Sequence, residues 1–344
     1  MMSTPHRVRL AIAVAAVCAV AALYQHASAQ TGAPALNSGP NPYHGTLRWW
    51  TLPEGPAWSP TAGIGLDREG HVWVGCVTES CVGGPEGPIL ELDRSGKILK
   101  RIGAGLFVAP HGLFVDRDGN VWVTDQNGKD GKGHQVFKFS PEGKVLMTLG
   151  KKGVAGEGPD TFNRPTDVVV APSGDIFVAD GHGGDTVGRI VKFTKDGKFV
   201  KTWGKLGSGP GELKLPHALA MDSTGRIFVA DRGNNRVQIF DQDGKFLAEW
   251  KQFSQPSDVY INKDDVLFVP DIESTGAGPA PGNQRGIRMG SVKDGKVTTF
   301  LPPPAMAGSE VPPAPEGIVQ DADGNLLAAS PLSKSVQKYA RTTK

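Results

Sequence analysis

Residues 214–240, KLPHALAMDSTGRIFVADRGNNRVQIF, decide the fold because their pattern recurs along the chain. Two apolar strands flank a polar turn, and His217 stands at the start of the first strand. The pattern occurs six times, in TAGIGLDREGHVWVGC (61–76), PHGLFVDRDGNVWVTD (110–125), PTDVVVAPSGDIFVAD (165–180), PHALAMDSTGRIFVAD (216–231), PSDVYINKDDVLFVPD (256–271) and PEGIVQDADGNLLAAS (315–330). Self-similarity of this kind predicts a repeat architecture.

A second pair of strands follows each unit, as in GRIVKFTKDGKFVKTWG (188–204), where Asp-Gly marks a hairpin turn. Each repeat is therefore a four-stranded antiparallel meander, which is a propeller blade. The sixth repeat lacks its last strand, and YHGTLRWWTLP (43–53) resembles the missing one. We predict an all-β, NHL-type six-bladed β-propeller over residues 43–344, closed by an N-terminal strand that completes the last blade.

The N-terminus has the features of an exported protein. Two arginines precede an apolar run at 10–23, and ASAQ (27–30) offers a cleavage site after Ala29. This pattern predicts a Sec-type signal peptide at 1–29, because the apolar run is short for a retained membrane anchor. We expect residues 30–42 to be a flexible mature N-terminus. The mature protein would be periplasmic or extracellular, with no membrane attachment.

Charge and cysteine content narrow the class of protein further. The chain has 37 basic and 35 acidic residues, and loss of the signal peptide would remove two arginines and no acids. No basic tract stands out, so we expect no nucleic-acid partner. In an exported protein, the closely spaced Cys76 and Cys81 are expected to form a disulfide.

The repeat also aligns one residue from each blade around the central channel, because the first strand of each blade lines it. These residues are Ala62, His111, Thr166, His217, Ser257 and Glu316. The three long polar side chains, His111, His217 and Glu316, fall on alternate blades, about 120° apart in a six-fold ring. Two imidazoles and a carboxylate form a ligand set for Zn²⁺ or Fe²⁺ that leaves positions open for substrate. The alternative is two hydrogen-bonded rim histidines and a solvated channel glutamate.

Two further patterns carry a family resemblance. NHL-type repeats appear in GPGELKLPHALAMD and GRIFVADRGNNRVQIFDQDGKF, which lie within 209–246. More closely, residues 110–250 resemble the peptidyl-α-hydroxyglycine α-amidating lyase family. The matching motifs are PHGLFVDRDGNVWVTD with HQVFKF, RPTDVVV with GDIFVADG and GKFVKTWG, and LPHALAM with VADRGNNRVQ.

The resemblance implies a six-bladed propeller in which three histidines of alternating blades hold zinc. Such enzymes split a C-terminal α-hydroxyglycine into a peptide amide and glyoxylate. His111 and His217 match two zinc ligands, and Glu316 stands where the family has the third histidine. Arg232 matches an arginine suited to holding a substrate carboxylate.

Three positions depart from the family pattern. His182 stands at the family's active-site tyrosine and could transfer a proton in its place, or it could simply be a turn residue in a Gly-rich loop. A first-blade arginine is replaced near Val77. The aspartate of the structural calcium site is Gly317, so calcium binding is left open.

We expect an exported, monomeric enzyme, a metal-dependent carbon–nitrogen lyase or a hydrolase. Its substrate would be a small oxygenated anion or a peptide C-terminus bound in the central channel. The alternative is a non-catalytic propeller that binds a peptide, protein or glycan and holds a structural ion. A redox role with iron or copper is a third possibility, since this ligand set does not specify the metal.

Overall fold

The computed structural model describes residues 41–50, 60–77, 79–183, 187–275, 284–304 and 314–342. Within these residues, strands form six four-stranded antiparallel sheets. The predicted all-β six-bladed propeller is therefore confirmed. The predicted signal peptide and the segment 30–40 lie outside the described residues, so both remain expectations.

The strands follow the sequence repeats closely. Blade one contains β2 (Pro60–Leu66), β3 (Val72–Cys76), β4 (Ile89–Leu92) and β5 (Ile98–Ile102). Blade two contains β6 (Pro110–Val115), β7 (Val121–Lys129), β8 (Lys132–Phe139) and β9 (Val145–Leu149). Blade three contains β10 (Pro165–Val170), β11 (Ile176–Asp180), β12 (Arg189–Phe193) and β13 (Phe199–Trp203).

The second half of the ring repeats this plan. Blade four contains β14 (Pro216–Met221), β15 (Ile227–Asp231), β16 (Arg236–Phe240) and β17 (Phe246–Trp250). Blade five contains β18 (Tyr260–Ile261), β19 (Val266–Thr275), β20 (Gln284–Ser291) and β21 (Val297–Leu301). Blade six contains β22 (Gly317–Gln320), β23 (Leu326–Ser330), β24 (Ser335–Arg341) and the N-terminal β1 (Tyr43–Trp50).

The ring closes through the first strand of the chain. The sixth sheet has the order β1-β24-β23-β22, and Tyr43 lies opposite Arg341 in the antiparallel register. The N-terminal strand therefore occupies the outer position of the last blade, as predicted. This pairing covers the outer edge of β24, which would otherwise leave unpaired backbone groups.

The core lies between the blades. Strands β11 and β15 are buried along their whole length, because each blade packs both of its faces against neighbouring blades. One core cluster joins Val74 of blade one to Leu327 of blade six and so extends across the closure. The outer strands are more exposed to solvent, and Phe199 on β13 is 41% exposed. The inner strands are thus held at a set distance from the axis by apolar packing behind them.

Buried ion pairs join the second and third strands in two successive blades. Arg189 Nε donates to Asp180 Oδ2 at 2.9 Å in blade three. Arg236 Nε donates to Asp231 Oδ2 at 2.7 Å in blade four. Each pair occupies facing positions on the second and third strands. These charges belong to the scaffold rather than to the channel.

Helical structure is sparse among the described residues. A one-turn helix, Glu79–Val82, follows β3, and the Cys76–Cys81 disulfide joins the two elements. Short 3₁₀ turns at Arg232–Asn234 and Pro331–Ser333 connect strands in blades four and six. In the described part of the chain, no helix has the length and apolar character needed to cross a membrane.

Candidate functional site

Two histidines face each other at one end of the channel. His111 is the second residue of β6 and His217 the second residue of β14, and both are buried. Their ring centroids are 4.7 Å apart. Because both strands start with the same Pro-His pair in the same register, the repeat itself brings the two rings together.

Backbone carbonyls of the intervening blades orient both rings. His111 Nδ1 lies 2.8 Å from the carbonyl oxygen of Thr166, and His217 Nδ1 lies 2.5 Å from that of Ser257. A carbonyl oxygen can only accept, so each Nδ1 carries the hydrogen and each Nε2 presents a lone pair. Thr166 and Ser257, the ring residues of blades three and five, therefore orient the imidazoles through their backbone carbonyls, a role that sequence patterns cannot reveal.

His217 Nε2 is buried and forms no hydrogen bond within the described residues. It lies 3.4 Å from Oε1 of Glu316. Burial and the nearby Arg232 lower the pKa of His217, and burial and His217 lower the pKa of His111 to about 4. A neutral His217 thus directs a lone pair at a carboxylate, an arrangement that a bound cation would stabilise.

His182 joins the two channel histidines from the turn that follows β11. Its ring centroid lies 5.0 Å from that of His111 and 5.5 Å from that of His217. The three residues each offer a nitrogen within 4.8 Å of the others. Burial, followed by the charge of the neighbouring imidazoles, lowers the pKa of His182. The sequence left two alternatives for His182, a proton-transfer residue at the family's tyrosine position or a turn residue of a Gly-rich loop. The structure places its ring beside the channel imidazoles.

Glu316 is shared between the imidazoles and an arginine. It lies one residue before β22, where its N–H donates to Ala329 O. Arg232 Nη1 lies 3.4 Å from Glu316 Oε1, and Arg232 Nη2 contacts Glu273. Burial acts to raise the pKa of Glu316, but His217, His111 and Arg232 outweigh it and lower the pKa to about 2. Arg232, predicted to hold a substrate carboxylate, already contacts two carboxylates of the chain.

Arg164 is a residue of this region that the sequence reading missed. Its Nε and Nη2 donate to Asn127 Oδ1 at 3.2 and 3.1 Å, a neutral partner. Among the described residues, no carboxylate lies within ion-pair distance of it. A Cβ added to Gly183 would come within 2.3 Å of Nη1, so the glycine leaves room for the guanidinium beside His182. A sequence signal for Arg164 did exist. An arginine precedes Pro165, whereas the apolar Leu215 stands at the equivalent position of the next blade.

On the other side of the histidines, the channel widens into a cavity of 620 Å³. Asp167 and Asp258 line it, each one residue after a ring position. Asp167 accepts from Leu219 N at 2.8 Å and Asp258 from Ile318 N at 3.0 Å. Each carboxylate therefore joins its blade to the next. Burial raises the pKa of Asp167 to about 7, and burial with the nearby Asp167 raises the pKa of Asp258.

A separate acidic group lies outside the channel. His71 Nδ1 is 2.8 Å from Glu91 and 3.4 Å from Asp67, and Lys100 Nζ is 2.9 Å from Glu91. Lys100 also lies over the ring of Trp73. The same combination of aspartate, tryptophan and lysine recurs in blade two, which assigns this group to blade packing.

Comparisons with known proteins agree with the fold. The NHL repeat family matches residues 213–240. The chain is 34% identical over 298 residues to peptidylglycine alpha-amidating monooxygenase of Rattus norvegicus, a match that covers 80% of this chain and 29% of the rat protein. The chain thus spans less than a third of that relative's length.

A nematode protein resembles the middle of the chain. The probable peptidyl-alpha-hydroxyglycine alpha-amidating lyase of Caenorhabditis elegans is 40% identical over 153 residues, covering 43% of this chain and 41% of that protein. Among solved structures, a gluconolactonase from Xanthomonas campestris superposes with a TM-score of 0.60 at 15% identity, covering 91% of this chain and 99% of that one. The latter likeness shows the fold alone.

Proposed function

We propose that this NHL-repeat propeller, whose relatives include amidating lyases, is a metal-dependent lyase. The observation that carries the proposal is the pair of channel imidazoles, His111 and His217. Backbone carbonyls hold their Nδ1 atoms, and their Nε2 lone pairs are left for a ligand. The buried Nε2 of His217, without a hydrogen-bond partner and 3.4 Å from Glu316, supports a cation at this point.

His111 and His217 would supply two ligands of a zinc or iron ion, as neutral imidazoles suit both metals. Two further side chains lie beside these imidazoles, His182 and Glu316. One of them would be the third ligand and the other would transfer a proton. A metal held in this way acts as a Lewis acid that polarises a substrate oxygen and lowers its pKa.

The arginines would orient an anionic substrate. Arg164 lies against the turn that carries His182, and Arg232 contacts Glu316, so a carboxylate placed between the two arginines would lie beside the imidazole cluster. Guanidinium groups match carboxylates through paired N–H donors. The names of the relatives support an N-acyl-α-hydroxyglycine as the substrate class.

The reaction on such a substrate is a balanced carbon–nitrogen cleavage. A residue of the site accepts the proton of the α-hydroxyl group, and the C–O bond becomes the carbonyl of glyoxylate. The C–N bond breaks with its electron pair on nitrogen, and the departing amide nitrogen takes up a proton. No oxidant or water is consumed. Calcium, which the resembled family uses structurally, has no assigned role in this chemistry.

The test uses the chain from residue 30, purified without a histidine tag. We expect about one equivalent of zinc or iron by elemental analysis and release of glyoxylate from an N-acyl-α-hydroxyglycine such as α-hydroxyhippurate. The apoprotein should lose turnover and regain it with metal. A preparation that takes up no metal and releases no glyoxylate would contradict the proposal and leave a non-catalytic binding propeller.

A further inference from the structure

We infer that His182, rather than Glu316, supplies the third protein ligand of the metal, and that Glu316 is the proton acceptor beside it. This inference rests on the proposed metal site. The sequence analysis made Glu316 the third ligand, because the repeat places it at a channel-lining position, and the family resemblance gave His182 the proton transfer. The two roles are exchanged because the folded chain brings His182 next to the two channel imidazoles.

The distances favour three imidazoles. Each of His111, His182 and His217 offers a nitrogen within 4.8 Å of the other two, and Glu316 does not join this group among the described residues. Zinc–nitrogen bonds of about 2.0–2.1 Å place neighbouring donor atoms about 3.3 Å apart in a tetrahedron. The imidazoles therefore need to close by about 1.5 Å at most, which side-chain rotation can supply.

Hydrogen bonds fix the backbone position of His182. The N–H groups of Gly181 and His182 both donate to the carbonyl oxygen of Arg164, at 3.1 and 3.0 Å. Gly181 has φ 134°, and a Cβ there would lie 1.7 Å from Val187 O, so only glycine allows this turn. The turn presents His182 to the channel from a defined position, as a ligand requires.

Glu316 is held differently. Its Oε1 lies 3.4 Å from Arg232, and Arg232 is itself held by Glu273. Arg232 therefore already contacts the same Glu316 oxygen that lies nearest His217. At 3.4 Å from His217 Nε2, Glu316 lies at the margin of the cluster, next to the position that three imidazoles leave open. It can accept the α-hydroxyl proton there without leaving Arg232.

The ligand exchange has a consequence for metal choice. Two histidines and a carboxylate serve both catalytic zinc and non-haem iron, whereas three histidines and an open position are typical of catalytic zinc. Three neutral ligands also leave the full charge of the ion to act on substrate. We therefore expect the site to be a zinc site.

The experiment compares His182→Ala, Glu316→Gln and His44→Ala with the wild type. His44 is an exposed histidine on β1 and controls for the loss of an imidazole. Each apoprotein is titrated with Zn²⁺ and with Co²⁺, followed by visible absorption. Removal of a ligand should weaken Zn²⁺ binding by about 100-fold or more, and loss of an outer partner by less. We expect the large loss in His182→Ala alone, with an unchanged Co²⁺ spectrum in His44→Ala.

X-ray absorption of the zinc-loaded wild type provides a readout that needs no variant. Three imidazoles and no carboxylate from the protein support the inference. Two imidazoles with a carboxylate would overturn it, as would a large loss in Glu316→Gln. A wild type that binds no metal would instead refute the proposed function itself. If His182→Ala does not fold by circular dichroism, His182→Asn and the absorption data decide the question.

Discussion

The Nδ1 atom of His111 lies 2.8 Å from the carbonyl oxygen of Thr166, the residue at the equivalent position of the next blade. His217 and Ser257 repeat the same relationship two blades further on. Each imidazole is thus oriented by the backbone of its neighbouring blade. The geometry of the site therefore depends on how neighbouring blades pack against each other as well as on the residues that form it.

Replacement of either channel histidine, His111 or His217, should abolish metal binding without unfolding the propeller. His111→Ala and His217→Ala each delete one ligand, while the apolar packing behind β6 and β14 stays in place. We expect bound metal to fall from about one equivalent to a small fraction of it. Elemental analysis beside circular dichroism measures this, with His44→Ala as control. Full metal content in both variants would exclude the channel as the site.

The buried brace in blade four should contribute strongly to stability. Arg236→Ala would leave the Asp231 carboxylate buried with its charge partner removed, at a cost of about 3–5 kcal/mol. The matched control is Lys263→Ala, because its pair with Asp264 is exposed, and such pairs contribute about 0–1 kcal/mol. Urea denaturation measures both. An equal loss of stability in the two variants would mean that the pair of Arg236 and Asp231 is not buried in solution.

Asp167→Asn should stabilise the protein at high pH only. Burial raises the pKa of Asp167 from 3.8 to about 7, so the folded state holds a proton that the unfolded state releases. This contribution is present at low pH and is lost as the pH rises from 3.8 through 7. The amide can still accept from Leu219 N. We expect a higher melting temperature than wild type at pH 8 and no gain at pH 4.

The control for that titration is Asp118→Asn, which changes an exposed carboxylate in a turn. It should shift the melting temperature little at either pH. Both proteins are measured with a chelator present, so that a cation in the cavity cannot mask the effect. A gain in Asp167→Asn that is the same at pH 4 and pH 8 would show that the carboxyl does not titrate as described.

Arg164→Gln should weaken the binding of an anionic substrate. Its guanidinium has a neutral partner in Asn127 and is free to receive a carboxylate, unlike that of Arg232. A hydrogen bond to a charged group contributes about 1.5–3 kcal/mol, so KM should rise by about 10-fold or more with a smaller change in kcat. Steady-state release of glyoxylate measures this, with exposed Arg68→Gln as control. A methyl ester of the same substrate should show no such dependence on Arg164.

The repeat was sufficient to predict the architecture and part of the site. Identical strand–turn–strand patterns require identical registers, so counting residues placed His111 and His217 on equivalent strands. The missing strand of the sixth repeat and the extra strand at 43–53 predicted the closure. Residues at repeated loop positions could be aligned but their contacts could not. Leu215 stands at the position of Arg164 in the next blade, so the repeat predicts no shared role for it, and the contacts of His182 and Arg164 depend on turn geometry.

The amino-acid sequence by itself determined the six blades, the closing strand and the polar residues that face the channel, because apolar periodicity and register are local properties that repeat. Only the tertiary structure decided which side chains meet. The carbonyls of Thr166 and Ser257 that orient the imidazoles carry no sequence signature, since every residue has a carbonyl group. The approach of His182 requires the Gly181 turn to bind the carbonyl of Arg164. Contacts made by the backbone between blades exist only when neighbouring blades are packed together.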